Sequence, residues 1–164
     1  MDKLPDYVGL LRLLSEAEIK FVAIGGVAMM LHGANYFTVD VDVCVERSPD
    51  NAERICRALK PYSEQVRGAF TDMVYFFTTI TRGESFRTEF GQVDFLGEVS
   101  GIGDYGAVLN YSTVIELEGF EMRIITLEGL IKAKEAANRP KDQQHLITLR
   151  ALREIEDKEE NGLA

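Results

Sequence analysis

Apolar positions along this chain follow two periods, three-to-four and two, and the switches between them mark the elements. Near the start, Leu4, Val8, Leu11 and Leu14 share one face of a helix that the pattern ends near Ile19. KFVAI then runs as a strand into Gly25 and Gly26, after which VAMMLHG fits two helical turns stopped at Gly33. In TVDVDVCVE a β-branched residue stands at nearly every second position, which predicts a buried strand carrying acids. Ser48 and Pro49 open a helix with Ala52, Ile55 and Leu59 on its apolar face. VYFFTTIT, SFRTEF and QVDFLGEV, rich in β-branched and aromatic residues and separated by a Gly-Glu turn, read as antiparallel strands. A short helix at DYGAVLNY, strands at TVIELEG and EMRIIT, and two helices, LEGLIKAKEAAN and DQQHLITLRALREIEDK, parted at Arg139-Pro140, complete the pattern. The order is α-β-α-β-α, then strands, then a helical end. That is an α+β class, with a twisted mixed sheet flanked by helices.

No linker, repeat or low-complexity stretch divides the 164 residues, so one domain over residues 1–164 is expected. Its helical C-terminal part begins at about residue 126, and the acidic end is expected to fray after Ile155. No segment approaches a membrane span and the N-terminus has no secretory pattern, so a cytoplasmic protein without a membrane partner is expected. The formal charge of -9 repels polyanions at long range, which excludes broad nonspecific nucleic-acid binding but leaves room for a local basic site. Cys44 and Cys56 lack metal-type spacing and read as buried reduced thiols.

The candidate chemistry begins at Asp40 and Asp42. Two apart on a strand, they leave the same face, and holding both among Val39, Val41 and Val43 is costly unless a cation compensates them. Gly25 and Gly26 free the backbone to approach a ligand at the start of a helix whose positive end suits an anion. Late in the chain Lys132, Lys134, Arg139 and Lys141 cluster around Pro140, which places Arg139 and Lys141 at a helix start, where cations are disfavoured without an anion nearby. GIGDYG has the spacing of a dinucleotide-binding glycine motif, but the segment after it is too short for a crossover helix and Asp104 would repel pyrophosphate. The isolated His32 and His145 read as structural or surface groups, His32 near the short helix. No nucleophile elbow, phosphate-loop lysine motif or cysteine-histidine arrangement is present.

GGVAMMLHGANYFTVDVDV resembles the signature of the nucleotidyltransferase superfamily that includes polymerase β, kanamycin nucleotidyltransferase and the minimal nucleotidyltransferases: a glycine pair, a short helix and an Asp-x-Asp strand. In that superfamily a third carboxylate comes from a later strand, and Asp94 in GQVDFLGEV stands where it is expected. Lys134 followed by Arg139, Pro140, Lys141 and Asp142 is similar to the late run of the nucleotidyltransferase toxins of abortive-infection systems. The resemblance implies Asp40, Asp42 and Asp94 as catalytic and metal-holding residues for two magnesium ions, with manganese as a substitute. It implies Gly25, Gly26, Thr38, Lys134, Arg139 and Lys141 as contacts to the phosphates of a nucleoside triphosphate. The reaction would be transfer of a nucleoside monophosphate to an acceptor hydroxyl on RNA, protein or a small molecule, with a homodimer or partner protein completing the acceptor pocket. Two positions depart from the pattern: Tyr36 stands where an arginine is usual and His145 where an acid is frequent. They motivate an alternative, a catalytically silent nucleotide-binding or partner-binding member of a toxin-antitoxin pair.

Overall fold

In the computed structural model, which describes residues 4–67 and 70–162, the first helix α1 (Tyr7–Glu16) opens where the Asp6 carboxylate accepts the Gly9 amide. Leu4 therefore lies before the helix and is exposed, while Leu10, Leu11 and Leu14 carry the buried stripe. Residues 1–3 of the expected N-terminal helix and 163–164 of the expected frayed tail lie outside the described residues. Next come β1 (Phe21–Ile24), α2 (Gly25–Leu31), β2 (Asp40–Val45) and α3 (Pro49–Leu59), the last capped by Ser48 with Pro49 in its first turn. After a 3-10 turn at Glu64–Val66 come α4 (Phe70–Thr79), β3 (Glu84–Thr88), β4 (Gly91–Leu96), and the two-residue strands β5 (Glu98–Val99) and β6 (Gly103–Asp104). The chain continues through α5 (Tyr105–Leu109), β7 (Ser112–Leu117), β8 (Phe120–Ile125), α6 (Leu127–Ala137) and α7 (Pro140–Glu160).

VYFFTTIT, expected as a strand, is instead largely the end of α4. Met73, Phe77 and Ile80 recur at intervals of four and three, which puts them on one helical face against the core, with Phe77 fully buried among Phe76, Phe86 and Phe95. Burying that face outweighs the β preference of the residues, and Thr78 and Thr79 bond their hydroxyls back to the carbonyls of Tyr75 and Phe76. Helix α7 also continues past Ile155 to Glu160, because its last turns are built of strong helix formers that need no buried partner.

Six strands form one mixed sheet in the order β3-β4-β2-β1-β8-β7, with β2 parallel to β4, β1 parallel to β8 and the other neighbours antiparallel. One face, with Val41, Val43, Val93 and Phe95, packs on α1, α3 and α4. The other, with Val22, Ile24 and Ile125, packs on Ala28 and Met29 of α2, Leu130 of α6 and Leu146 and Leu149 of α7. Alternation along β2 sends Val41 and Val43 to the first face and Asp40 and Asp42 to the second, beyond the edge of the helical cover. A mixed α+β sheet flanked by helices thus matches the class expected from the sequence.

Candidate active site

A cleft of about 330 Å³ opens between the sheet, the start of α2 and the α6–α7 junction. Every residue singled out from the sequence for metal or phosphate contact lines it: Asp40, Asp42, Asp94, Gly25, Gly26, Thr38, Lys134, Arg139 and Lys141. Lys132 of the basic cluster is turned elsewhere, over the Tyr111 ring.

The acids come from two adjacent strands. Asp42 pairs in register with Asp94 and Asp40 with Gln92, so Asp40, Asp42 and Asp94 face the same side. Burial pushes the Asp42 carboxyl up to about 7, reinforced by the charge of Asp94, a hydrogen bond with it, and the charge of Asp40. Asp40 is also raised, by burial and then Asp94, while Lys141 draws it back. Ser85 on β3, opposite Asp94, donates its hydroxyl to Asp94 Oδ1 at 2.6 Å, and Gln92 Nε2 donates to the same oxygen at 3.2 Å. Asp94 Oδ1 is thus held by two protein donors. Among the described residues no three His, Cys, Asp or Glu side chains group tightly enough to enclose a metal ion alone. The arrangement fits a magnesium ion that arrives with its triphosphate, since magnesium takes one or two carboxylates and fills its remaining positions with phosphate oxygens and water.

Gly25 begins α2 with φ +61°, and a side chain there would overlap the Asp42 carboxylate. A Cβ on Gly26 would stand 2.7 Å from Tyr36 Cε1 and 2.9 Å from Thr38 Cβ. The glycine bend therefore touches the acids on one side and the loop before β2 on the other. The Thr38 hydroxyl donates to the Asp40 carbonyl at 3.1 Å, so it shapes the strand entrance as well as lining the cleft. His32 caps the end of α2 and binds the Ile125 carbonyl at 2.7 Å through Nε2.

Across the cleft, Lys134 is buried and paired to Asp142 at 3.4 Å. Asp142 is fully enclosed and receives Arg139 through Nε at 2.8 Å, Nη2 at 3.2 Å and the backbone amide at 3.0 Å. Burial lowers the Lys134 ammonium, and Asp142 opposes that fall. The positive end of the cleft is therefore assembled around one carboxylate that belongs to the late basic run but had no role assigned from sequence. Ser85 and Gln92 were likewise missed, although a turn through Glu89 and Phe90 pairs Thr88 with Gly91 and so sets Ser85 opposite Asp94. Tyr36 and His145, the two departures, meet on the cleft wall with ring centroids 4.8 Å apart. GIGDYG forms the turn and second strand of the β5–β6 hairpin and the start of the short α5, which Asp104 caps through the Ala107 amide.

Residues 3–161 match a family model described as "Nucleotidyl transferase of unknown function (DUF2204)". Among solved structures, a protein from Thermotoga maritima assigned to the nucleotidyltransferases aligns with a TM-score of 0.59 at 15% identity, over 85% of this chain and 89% of that one. An antigenic nucleotidyltransferase-like protein from Paracoccidioides brasiliensis aligns with a TM-score of 0.48 at 16% identity, over 88% of this chain and 73% of that one. No curated protein matches the sequence. The Thermotoga likeness makes the architecture a nucleotidyltransferase fold.

Proposed function

The chain belongs to the nucleotidyl transferase family whose model spans it, and on that footing we propose that it transfers a nucleoside monophosphate from a nucleoside triphosphate to an acceptor hydroxyl. The observation that carries this reading is the cleft, where a carboxylate pair, a glycine bend and a cation cluster built on the buried Lys134–Asp142 pair face one another. Asp40 and Asp42, with Asp94 beside them, would hold one or two magnesium ions, and manganese would substitute. Such ions supply positive charge to the phosphate oxygens on either side of the reacting phosphorus.

The protein's own groups do the rest. The backbone of Gly25 and Gly26 receives phosphate oxygens, and Lys134, Arg139 and Lys141 neutralise the departing end of the triphosphate. The acceptor oxygen bonds to the α-phosphorus as the bond from that phosphorus to the pyrophosphate oxygen breaks, and pyrophosphate leaves with the electron pair. Asp94, oriented through Oδ1 by Ser85 and Gln92, takes the hydroxyl proton. The acceptor would enter from the side of β3 and β4 where, among the described residues, Ser85, Arg87 and Gln92 are not covered by a helix; RNA, protein and small-molecule hydroxyls all satisfy this chemistry. A cytoplasmic setting and a toxin-antitoxin role are consistent with such a site.

The test is incubation with triphosphates labelled at the α-phosphate, magnesium and cell extract. Label should enter an acceptor with the wild type and fail to do so with Asp40→Ala and Asp42→Ala. Calorimetric binding of triphosphate without any transfer would instead favour the silent nucleotide-binding protein, and absence of both would sink the proposal.

A further inference from the structure

His145 sets an imidazole among the cations of the cleft, Lys134, Arg139 and Lys141. It lies edge-on to Tyr36, the planes 78° apart, and Tyr36 in turn rests over Gly26, so a continuous wall runs from the glycine bend to the start of α7. Its Nδ1 is shielded from solvent and has no hydrogen-bond partner, whereas Nε2 is not shielded and makes no hydrogen bond among the described residues. A shielded N–H without an acceptor is rarer and costlier than an idle lone pair. The proton of the neutral ring therefore belongs on Nε2, the nitrogen the cleft can reach. That tautomer offers a donor and hides its lone pair, which suits an anion and does not suit a metal ion.

The charged groups facing the ring are Lys134 from α6 and Arg139, Lys141 and Asp142 from the start of α7, with the neutral Tyr36 ring on the loop side. Burial and Lys134 hold the imidazole below its ordinary value, Lys141 and Arg139 add to this, and Asp142 opposes them. A ligand rich in phosphate oxygens would engage those cations and remove the repulsion.

We propose that His145 is a phosphate-binding residue of this cleft, donating Nε2–H to the anionic tail of a bound triphosphate, and that Tyr36 fixes the imidazole plane for that contact. The proposal rests on the nucleotide-binding reading of the same site. Its consequence is linkage: once the cations are engaged by phosphate, the ring takes up a proton and the contact becomes charge-assisted, so binding tightens as pH falls toward the ordinary histidine range.

The chain has only two histidines, so their ring resonances can be followed separately by NMR, with His32→Gln giving the assignment. Inorganic tripolyphosphate without divalent metal is the first probe and ATP with magnesium the second. Saturating tripolyphosphate should move the His145 titration midpoint upward. His145→Gln should weaken tripolyphosphate about 10-fold, the loss expected for a charge-assisted hydrogen bond, and Tyr36→Ala should weaken it less while Tyr36→Phe leaves it unchanged. A midpoint unmoved by tripolyphosphate, or His145→Gln binding both ligands as the wild type does, overturns the assignment and leaves the transfer reading standing. Failure of the wild type to bind either ligand overturns both.

Discussion

Asp42 on β2 and Asp94 on β4 stand directly opposite each other on parallel neighbours, so the sheet itself forces two carboxylates into one patch. Burial, then Asp94, keeps Asp42 protonated up to about pH 7 in the metal-free protein. Its folded value lies above its unfolded one, so the associated stability is complete below about pH 4 and is lost as pH rises through about 7. The melting temperature of the metal-free protein should therefore fall between pH 5 and pH 8. Asp42→Asn should flatten that slope and stabilise the protein at pH 8 by about 1–3 kcal/mol, one pKa unit being worth about 1.4 kcal/mol, while abolishing transfer. Thermal melts of the two proteins across pH check this, and magnesium with triphosphate should rescue only the wild type.

Ser85 reaches the cleft through Asp94, to whose Oδ1 its hydroxyl donates. Removing its hydroxyl leaves Oδ1 with Gln92 alone, at a longer 3.2 Å, and frees the carboxylate to rotate. Ser85→Ala should weaken manganese binding about 10-fold, within the range seen for groups that orient a metal ligand, and lower kcat with little change in KM for the triphosphate. Electron paramagnetic titration of manganese gives the first quantity without depending on turnover. Equal manganese affinity in the two proteins would contradict the positioning role.

How far the sequence made this site legible depends on the kind of signal. Asp40 and Asp42 were readable because strand alternation is strict: Val41 and Val43 must go to the core, so the acids must go to the other face. The glycines and the late basic run were readable as backbone and charge anomalies. Asp94 was found through resemblance, since nothing local distinguishes one acid on a strand from another. Asp142 was hidden by its ordinary place in a helix's first turn, and its importance emerges only when α6 brings Lys134 across to it. The strand expected at Val74 failed for a related reason, because residue preference favoured β while the spacing of Met73, Phe77 and Ile80 served a tertiary contact of helical period.

The buried pairing of Lys134 with Asp142 makes the cation cluster a stability element of the fold. Burial alone would raise Asp142, but hydrogen bonds from the Arg139 side chain and backbone, together with Lys134, outweigh it and bring the carboxyl down to about 2. The folded value lies below the unfolded one, so this contribution is complete above about pH 4 and is lost as pH falls toward 2. Asp142→Ala leaves Lys134 buried without its counter-ion and should cost about 3–5 kcal/mol at pH 7. Urea denaturation at pH 7 and at pH 3 tests it, the gap between wild type and variant being smaller at the lower pH.

Gly25 and Gly26 answer to different constraints, and their alanine variants should separate. At Gly25 the left-handed φ of +61° disfavours any side chain, and the added carbon would displace the Asp42 carboxylate. Gly25→Ala should lose about 1–2 kcal/mol from the backbone alone and also reduce metal binding. Gly26 has no such φ, and alanine would favour the helix by about 1 kcal/mol, so the sign is decided by the 2.7 Å approach to Tyr36 and the 2.9 Å approach to Thr38. If the Tyr36 ring is the stiffer obstacle, Gly26→Ala should destabilise the wild type yet cost distinctly less in a Tyr36→Ala background. A double-mutant cycle by urea denaturation measures that difference. Additive effects would show that Tyr36 does not rest on the glycine bend, and would remove the wall that orients His145.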